Sequence, residues 1–119
     1  MASAYLNVVK NGLSSGNNDI YVCPIGGQAI IKVVNIYNTT GGAVNSTVSV
    51  FDSSTNITGI WDTSSVAATT QEGVLQNGEV INLEAGDKLI INAGTGTALD
   101  VIVSLLQITW GQYGFLWFH

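Results

Sequence analysis

The stretch Ala98–Trp110 reads ALDVIVSLLQITW, and it decides the fold class of this 119-residue chain. Five of its 13 residues are β-branched, and its apolar side chains recur with the period of two that is typical of a strand. The odd positions from Leu99 to Leu105 form one apolar face. A second apolar face is formed by Ile102, Leu106 and Ile108. A strand with one face in water should alternate cleanly, so we expect something beyond the domain's own core to cover the second face.

Short apolar runs separated by Gly-rich turns continue upstream of this stretch. The other candidate strands are Ala4–Lys10, Ile20–Cys23, Gln28–Asn38, Ser46–Phe51, Glu79–Leu83 and Lys88–Ala93. The polar stretch Ser14–Asp19 is expected to lie in a turn, and Asp52–Gln76 to hold one short strand and a long loop, where function tends to sit. About eight short strands and no helical window predict an all-β fold, a single antiparallel β-sandwich of the jelly-roll type over residues 1–109.

The longest early strand candidate, Gln28–Asn38, is apolar on both faces. One face consists of the even positions Ile30, Val34 and Ile36. Lys32 interrupts this face with a charge. The other face consists of Ala29, Ile31 and Val33. Strict alternation along this strand predicts that Ile30, Val34 and Ile36 point to the same side of the sheet.

The last ten residues, Trp110–His119, read WGQYGFLWFH and are crowded with aromatic side chains. Burying one large apolar side chain stabilises a protein by about 1.5–3 kcal/mol, so several together would dominate an interface. The tail could fold back on its own sandwich, anchor on a neighbouring subunit or another partner, or dip into a membrane, although it lacks the basic residues that favour a membrane. We favour the interface anchor, and its predicted residues are Trp110, Tyr113, Phe115, Leu116, Trp117 and Phe118.

Charge is scarce in this chain. Eight acidic and three basic residues give a net charge of −5, and the cations are Lys10, Lys32 and Lys88. Nucleic acids and anionic membranes both attract basic patches, so we expect neither kind of partner. With 46% hydrophobic residues the composition is not that of a disordered chain, and little charge repulsion would keep copies apart. The composition therefore favours assembly.

The inventory of catalytic side chains is nearly empty. His119 is the single histidine and the terminal residue, and Cys23 is the single cysteine. A Ser-His-Asp or Cys-His arrangement needs a histidine that is held in place, and a zinc cluster needs more thiols or histidines than this chain has. Conceivable carboxylate sites are Asp52 with Asp62, Glu72 with Glu79, and a calcium site of Asp52, Asn56 and Asp62. Their spacing is that of solvated loop acids, so we predict no enzymatic activity, no metal site and no cofactor. Cys23 ends a strand-like run, and we expect it to be a small buried apolar residue.

Two segments resemble recurrent elements of small tailed-phage virion proteins. Ile20–Asn38 reads IYVCPIGGQAIIKVVNIYN, which is similar to their short strand, Gly-containing turn and long apolar strand ending in a Thr/Gly loop. Glu79–Ile91 reads EVINLEAGDKLII, which is similar to their second shared element, two strands around an L-x-A-G-D turn. The matches extend over residues 20–51 and 79–108, and the aromatic tail is not part of the pattern.

The resemblance implies a non-enzymatic virion structural protein, and small size favours a capsid decoration (cement) protein. Its partners would be the major capsid protein or other virion subunits and further copies of itself, with a trimer favoured. No signal peptide or membrane span is visible, so we expect synthesis in a host cytoplasm and a final location in the virion. The alternatives are a tail or fibre subunit and a receptor- or carbohydrate-binding module, whose sugar platform would use Trp61, Trp110 and Trp117. A cupin-like enzyme would lack its metal-binding histidines.

Overall fold

β-Strands make up most of the chain, as its β-branched composition predicts. The computed structural model describes residues 2–109, and within that range it contains nine strands and no helix. The strands are β1 (Ala2–Lys10), β2 (Gly16–Val22), β3 (Gly27–Asn38), β4 (Val44–Asp52), β5 (Ile57–Val66), β6 (Gln71–Gly73), β7 (Ile81–Glu84), β8 (Lys88–Ala93) and β9 (Leu99–Thr109). Residues 2–109 therefore hold no helix that could cross a membrane.

The nine strands form two antiparallel sheets that pack face to face. The first sheet has the order β1-β9-β3, and the other side of β3 pairs with β7 near its start and with β6 near its end. The second sheet has the order β2-β8-β4-β5. The all-β class and the antiparallel, jelly-roll-like sandwich predicted from the sequence are confirmed, with nine strands in place of about eight.

The core lies between the sheets and is formed by alternate positions of their central strands. In β9 the odd positions from Leu99 to Leu105 are all buried, as the sequence predicts. The largest fully buried side chains are Ile31, Ile36, Ile81, Leu83, Leu89, Ile91, Leu99 and Leu105. Each contributes about 1.5–3 kcal/mol of burial free energy, so this layer between the sheets is the main source of stability.

A β-bulge at Lys32 changes which side chains of β3 face the core. The pairing of β3 with β9 shifts between Ile31 and Val33, so Lys32 is an extra residue and the alternation of faces restarts after it. The buried apolar side chains of β3 are Ala29, Ile31, Val34 and Ile36. The prediction that Ile30 shares a face with Val34 and Ile36 is therefore wrong. The Lys32 ammonium lies 5.8 Å from the centre of the Tyr5 ring, within the range of a cation–π contact.

Two segments that the sequence predicts to be irregular form strands instead. β2 begins at Gly16, inside the polar stretch Ser14–Asp19. The region Asp52–Gln76 contains the ten-residue β5 and the three-residue β6 rather than one short strand and a long loop. Asn and Gly have weak strand propensity, but backbone pairing of β2 with β8 overrides it. β5 is rich in β-branched residues and pairs with β4 along its length.

Candidate interaction surfaces

Three carboxylates meet where the β4–β5 turn contacts the β7–β8 turn. Oxygen atoms of Asp52, Glu84 and Asp87 lie within 4.8 Å of one another. Asp87 is buried; its Oδ1 accepts hydrogen bonds from the Ser53 amide at 2.9 Å and the Ser53 hydroxyl at 3.1 Å, and its Oδ2 accepts one from the Glu84 amide at 2.9 Å. The three carboxylates could offer oxygen ligands to a cation, but both oxygens of the buried Asp87 already accept hydrogen bonds that join the two turns. We assign the cluster a structural role.

Asp52 is held by hydrogen bonds from its own turn. Its Oδ1 accepts from the Ser54 amide at 3.1 Å and the Ser54 hydroxyl at 2.8 Å, and its Oδ2 accepts from the Thr55 hydroxyl at 3.0 Å. The Ser54 and Thr55 hydroxyls are the main reason that the pKa of Asp52 lies below its usual value. A carboxylate stabilised in its charged form is a poor general acid.

The Asp52–Asp62 pair considered from the sequence is not assembled into a site. Asp52 is opposite Ile57 at the end of the β4–β5 hairpin, whereas Asp62 is opposite Val48, which lies about 13 Å away along β4 at ~3.3 Å per residue. The calcium site that would combine Asp52, Asn56 and Asp62 is therefore not formed. Glu79 accepts a hydrogen bond from the amide of Gln76 at 3.0 Å and belongs to its own turn.

Cys23 is 1% exposed, in agreement with the expected buried role. Burial raises the pKa of its thiol, and the charge of Asp87 raises it further. Two residues earlier, burial and to a smaller extent Cys23 raise the pKa of Tyr21 to about 12, and the Tyr21 hydroxyl donates to Gln107 Oε1 at 2.6 Å. A buried neutral thiol is a poor nucleophile, so this cluster supports the fold rather than chemistry.

β5 forms an exposed edge of the second sheet, which we call the β5 edge (residues 57–66). It pairs with β4 on one side, and no described strand pairs with its other side. The exposed fractions of three of its side chains are 63% for Ile57, 70% for Ile60 and 41% for Trp61. Natural edges are usually protected by Lys, Pro or a bulge. The β5 edge has no Lys or Pro, although its pairing with β4 is bulged at Trp61.

The outer face of the first sheet is apolar in part. Its side chains come from the positions of β1, β9 and β3 that alternate with the core, because directly opposed residues share a face. Members of this face include Tyr5, Val9, Ile30, Val33, Ile102, Leu106 and Ile108. Ile102 is 48% exposed, so the described residues alone leave this second face of β9 uncovered in part. The predicted anchor residues Trp110, Tyr113, Phe115, Leu116, Trp117 and Phe118 lie outside the described residues.

A groove of about 320 Å³ lies at one end of this outer face, which we call the sheet-face groove. One row of its walls is Val9, Ile102 and Asn35, which are neighbours across β1, β9 and β3. The next row is Asp100, Tyr37 and Gln71, from β9, β3 and β6. Apolar walls with a few polar groups are typical of small-molecule sites.

Comparisons with known proteins place this chain by its fold alone. No protein-family model matches it, and a search of curated proteins gives no match. One similar solved structure is a chain from Bacillus endospore appendages, described as disulfide-linked pili, with 13% identity and a TM-score of 0.54 over 92% of this chain and 88% of that one. Another is from the capsid of the Helicobacter pylori bacteriophage KHP30, with 9% identity and a TM-score of 0.54 over 91% and 88%. Both share the β-sandwich.

The β5 edge and the sheet-face groove are the surfaces that sequence reasoning missed. Ile57, Ile60 and Trp61 lie in the segment predicted to hold one short strand and a long loop, and an exposed apolar residue in a loop does not by itself indicate a partner. Treating the segment as a strand would have placed three large apolar residues on it, but the sheet order is what shows that this strand is an edge. The groove combines residues from β1, β3, β6 and β9, and no local sequence signal brings these four strands together.

Proposed function

We propose that this chain is a non-enzymatic structural subunit of a virion, acting as a capsid decoration protein. The observation that carries the proposal is the β5 edge, a ten-residue strand with three exposed large apolar side chains and one side that pairs with no strand within residues 2–109. Such an edge is a template for pairing with a strand of another chain. A subunit that stabilises a shell needs this kind of adhesive surface.

The chemistry of the β5 edge favours a protein partner over a charged ligand. Its backbone amides and carbonyls would provide hydrogen bonds, while Ile57, Ile60 and Trp61 would lose exposed apolar surface at about 25 cal/mol per Å². Asp62 is its one charged residue. Attachment should therefore change little between low and high salt, because few charges are available to be screened.

The aromatic tail is proposed as a second attachment point in the same assembly. Residues 110–119 directly follow β9, which lies between β1 and β3 in the first sheet. The β5 edge is on the second sheet, so the two attachments would use separate parts of the chain. A subunit with two separate attachment points can join two neighbours, which suits a cement role and a homo-oligomer such as a trimer.

The two fold comparisons suggest virion and pilus subunits, and one observation separates them. The similar pilus is described as disulfide-linked. In this chain Cys23 is the single cysteine and is almost fully buried, so a subunit-to-subunit disulfide would require the sandwich to open. A capsid subunit would not require the sandwich to open. The resemblance of residues 20–51 and 79–108 to phage virion proteins also favours a virion subunit over a pilus subunit.

The test is cosedimentation of the purified chain with capsids of its virus that lack it. Ile60→Lys with Trp61→Lys should lower binding by about tenfold or more, the equivalent of about 1.4 kcal/mol, because two charges would be buried at the contact. Ile25→Lys is the matched control, since Ile25 is 86% exposed in the β2–β3 turn and away from β5. Equal binding of both variants, or no binding by the unchanged chain, would contradict the proposal.

A further inference from the structure

The sheet-face groove lies on the opposite sheet from the β5 edge, so it remains open when that edge is covered. Its volume of about 320 Å³ is at the lower end of the roughly 300–1,000 Å³ range of small-molecule sites. That size suits one ring system rather than a long ligand. Gly73 is opposite Asn35 in the register, and its missing side chain leaves the Asn35 amide uncovered on that side.

Several polar atoms of the groove have hydrogen-bonding capacity that the described residues do not use. Asp100 Oδ1 accepts a bond from the Gly12 amide at 2.8 Å, and its Oδ2 has no described donor. Gln71 Nε2 donates to Asn35 Oδ1 at 3.3 Å, which orients the two amides and leaves Asn35 Nδ2 and Gln71 Oε1 available. The Tyr37 hydroxyl also has no described partner. The groove therefore presents both donors and acceptors.

The apolar part of the groove is formed by an aromatic ring and two aliphatic side chains. Tyr37 is 42% exposed, and Val9 and Ile102 are exposed beside it. A pyranose has a C–H face that packs on such side chains and hydroxyls that both donate and accept hydrogen bonds, so it matches the two halves of this surface. Among the described residues, no Lys or Arg lines the groove, and Asp100 is acidic, which disfavours an anionic ligand.

We propose that the sheet-face groove binds a neutral hexopyranose, such as the exposed end of a glycan. The Tyr37 ring packs against the C–H face of the sugar. Asp100 Oδ2 and Gln71 Oε1 accept hydrogen bonds from sugar hydroxyls, and Asn35 Nδ2 donates one. The proposal concerns the face away from the β5 edge and does not depend on the decoration role.

The experiment is saturation-transfer-difference NMR on the full chain, which detects weak binding even to a large assembly. The probes are the methyl glycosides of glucose, galactose, mannose, fucose and N-acetylglucosamine, with sialic acid as the anionic comparison. At least one neutral sugar should give a signal with an affinity in the millimolar range, equivalent to about −4 kcal/mol. The sialic acid signal should be weaker, because Asp100 repels its carboxylate.

Variants assign the signal to the groove. Tyr37→Ala and Asn35→Ala should each weaken binding of the same sugar by about tenfold, whereas Tyr37→Phe keeps the ring and should weaken it less. Tyr5→Ala is the matched control, because Tyr5 is an exposed tyrosine of the same face outside the groove. The proposal is overturned if no neutral sugar gives a signal, if sialic acid binds best, or if Tyr37→Ala and Tyr5→Ala behave alike.

Discussion

The buried carboxylate of Asp87 joins two turns of the sandwich that are far apart in sequence. It accepts two hydrogen bonds from Ser53 in the β4–β5 turn and one from the Glu84 amide in its own turn. In addition, the backbone carbonyl of Asp87 accepts a hydrogen bond from the Cys23 amide at 2.8 Å. The Gly86 amide donates one to the Cys23 carbonyl at 2.9 Å. The Leu83–Asp87 turn, which reads LEAGD, therefore serves as a structural clamp.

Removing this carboxylate should destabilise the fold. Asp87→Ala leaves the Ser53 and Glu84 amides without an acceptor in a partly buried site, so we expect a loss of about 1–3 kcal/mol in the free energy of unfolding, measured by urea denaturation. Glu84→Ala is the control, because its exposed side chain makes no described hydrogen bond, and it should change stability by less than about 0.5 kcal/mol. Equal effects of the two variants would contradict the clamp.

Stability should fall at alkaline pH because of Cys23 and Tyr21. Both groups have a raised pKa in the folded protein, so they stay neutral to a higher pH than in the unfolded chain. Their contribution is fully present below the unfolded values of about 8.5 for Cys and about 10 for Tyr, and it is lost as the pH rises towards the folded values. Urea denaturation at increasing alkaline pH should show this decline.

The double variant Cys23→Ala with Tyr21→Phe isolates these two groups. It is expected to be less stable at neutral pH, because it loses the bond to Gln107 and some packing. Its stability should nevertheless decline less steeply than that of the unchanged chain above about pH 9, since neither new side chain titrates. Identical slopes for both proteins would show that other groups control the alkaline transition.

At the scale of strands, the sequence predicted the elements whose apolar pattern is local. Seven of the nine strands overlap candidates read from the sequence, and the odd face of β9 is buried as expected. The misses have two physical causes. Bulges at Lys32 and Trp61 shift the period of two, which no alternation rule anticipates. β5 and β6 lack a clean apolar alternation and become strands because β4 and β3 supply their backbone partners.

The candidate surfaces were less predictable than the strands. An apolar residue in a loop needs no explanation, whereas the same residue on an unpaired edge strand indicates a partner. The sequence places Ile60 in a loop-rich segment. It is recognised as an edge residue only from the sheet order, in which β4 is the one described strand that pairs with β5. The sheet-face groove similarly depends on which strands are neighbours, since Tyr37 and Gln71 meet only through the β3–β6 pairing.

At the scale of the whole molecule, the tail residues 110–119 remain a prediction about assembly. A chain ending at Thr109 and a full-length chain with its six anchor residues changed to Ser should both fall to a lower mass by light scattering than the unchanged protein. Each lost aromatic contact would cost about 1.5–3 kcal/mol at the interface. If either variant kept its oligomeric mass and its binding to capsids, the tail would not be the anchor.

The central claim is that the β5 edge is covered when this protein is in its assembly. Hydrogen–deuterium exchange followed by mass spectrometry, on the free chain and on the chain bound to capsids, measures that directly. We predict slower exchange across residues 57–66 in the bound state, because backbone amides that face solvent at a free edge become hydrogen-bonded to a partner strand. Exchange at residues 71–73 in the first sheet should stay the same. Bound protein whose β5 amides exchange as fast as in the free chain would contradict the account.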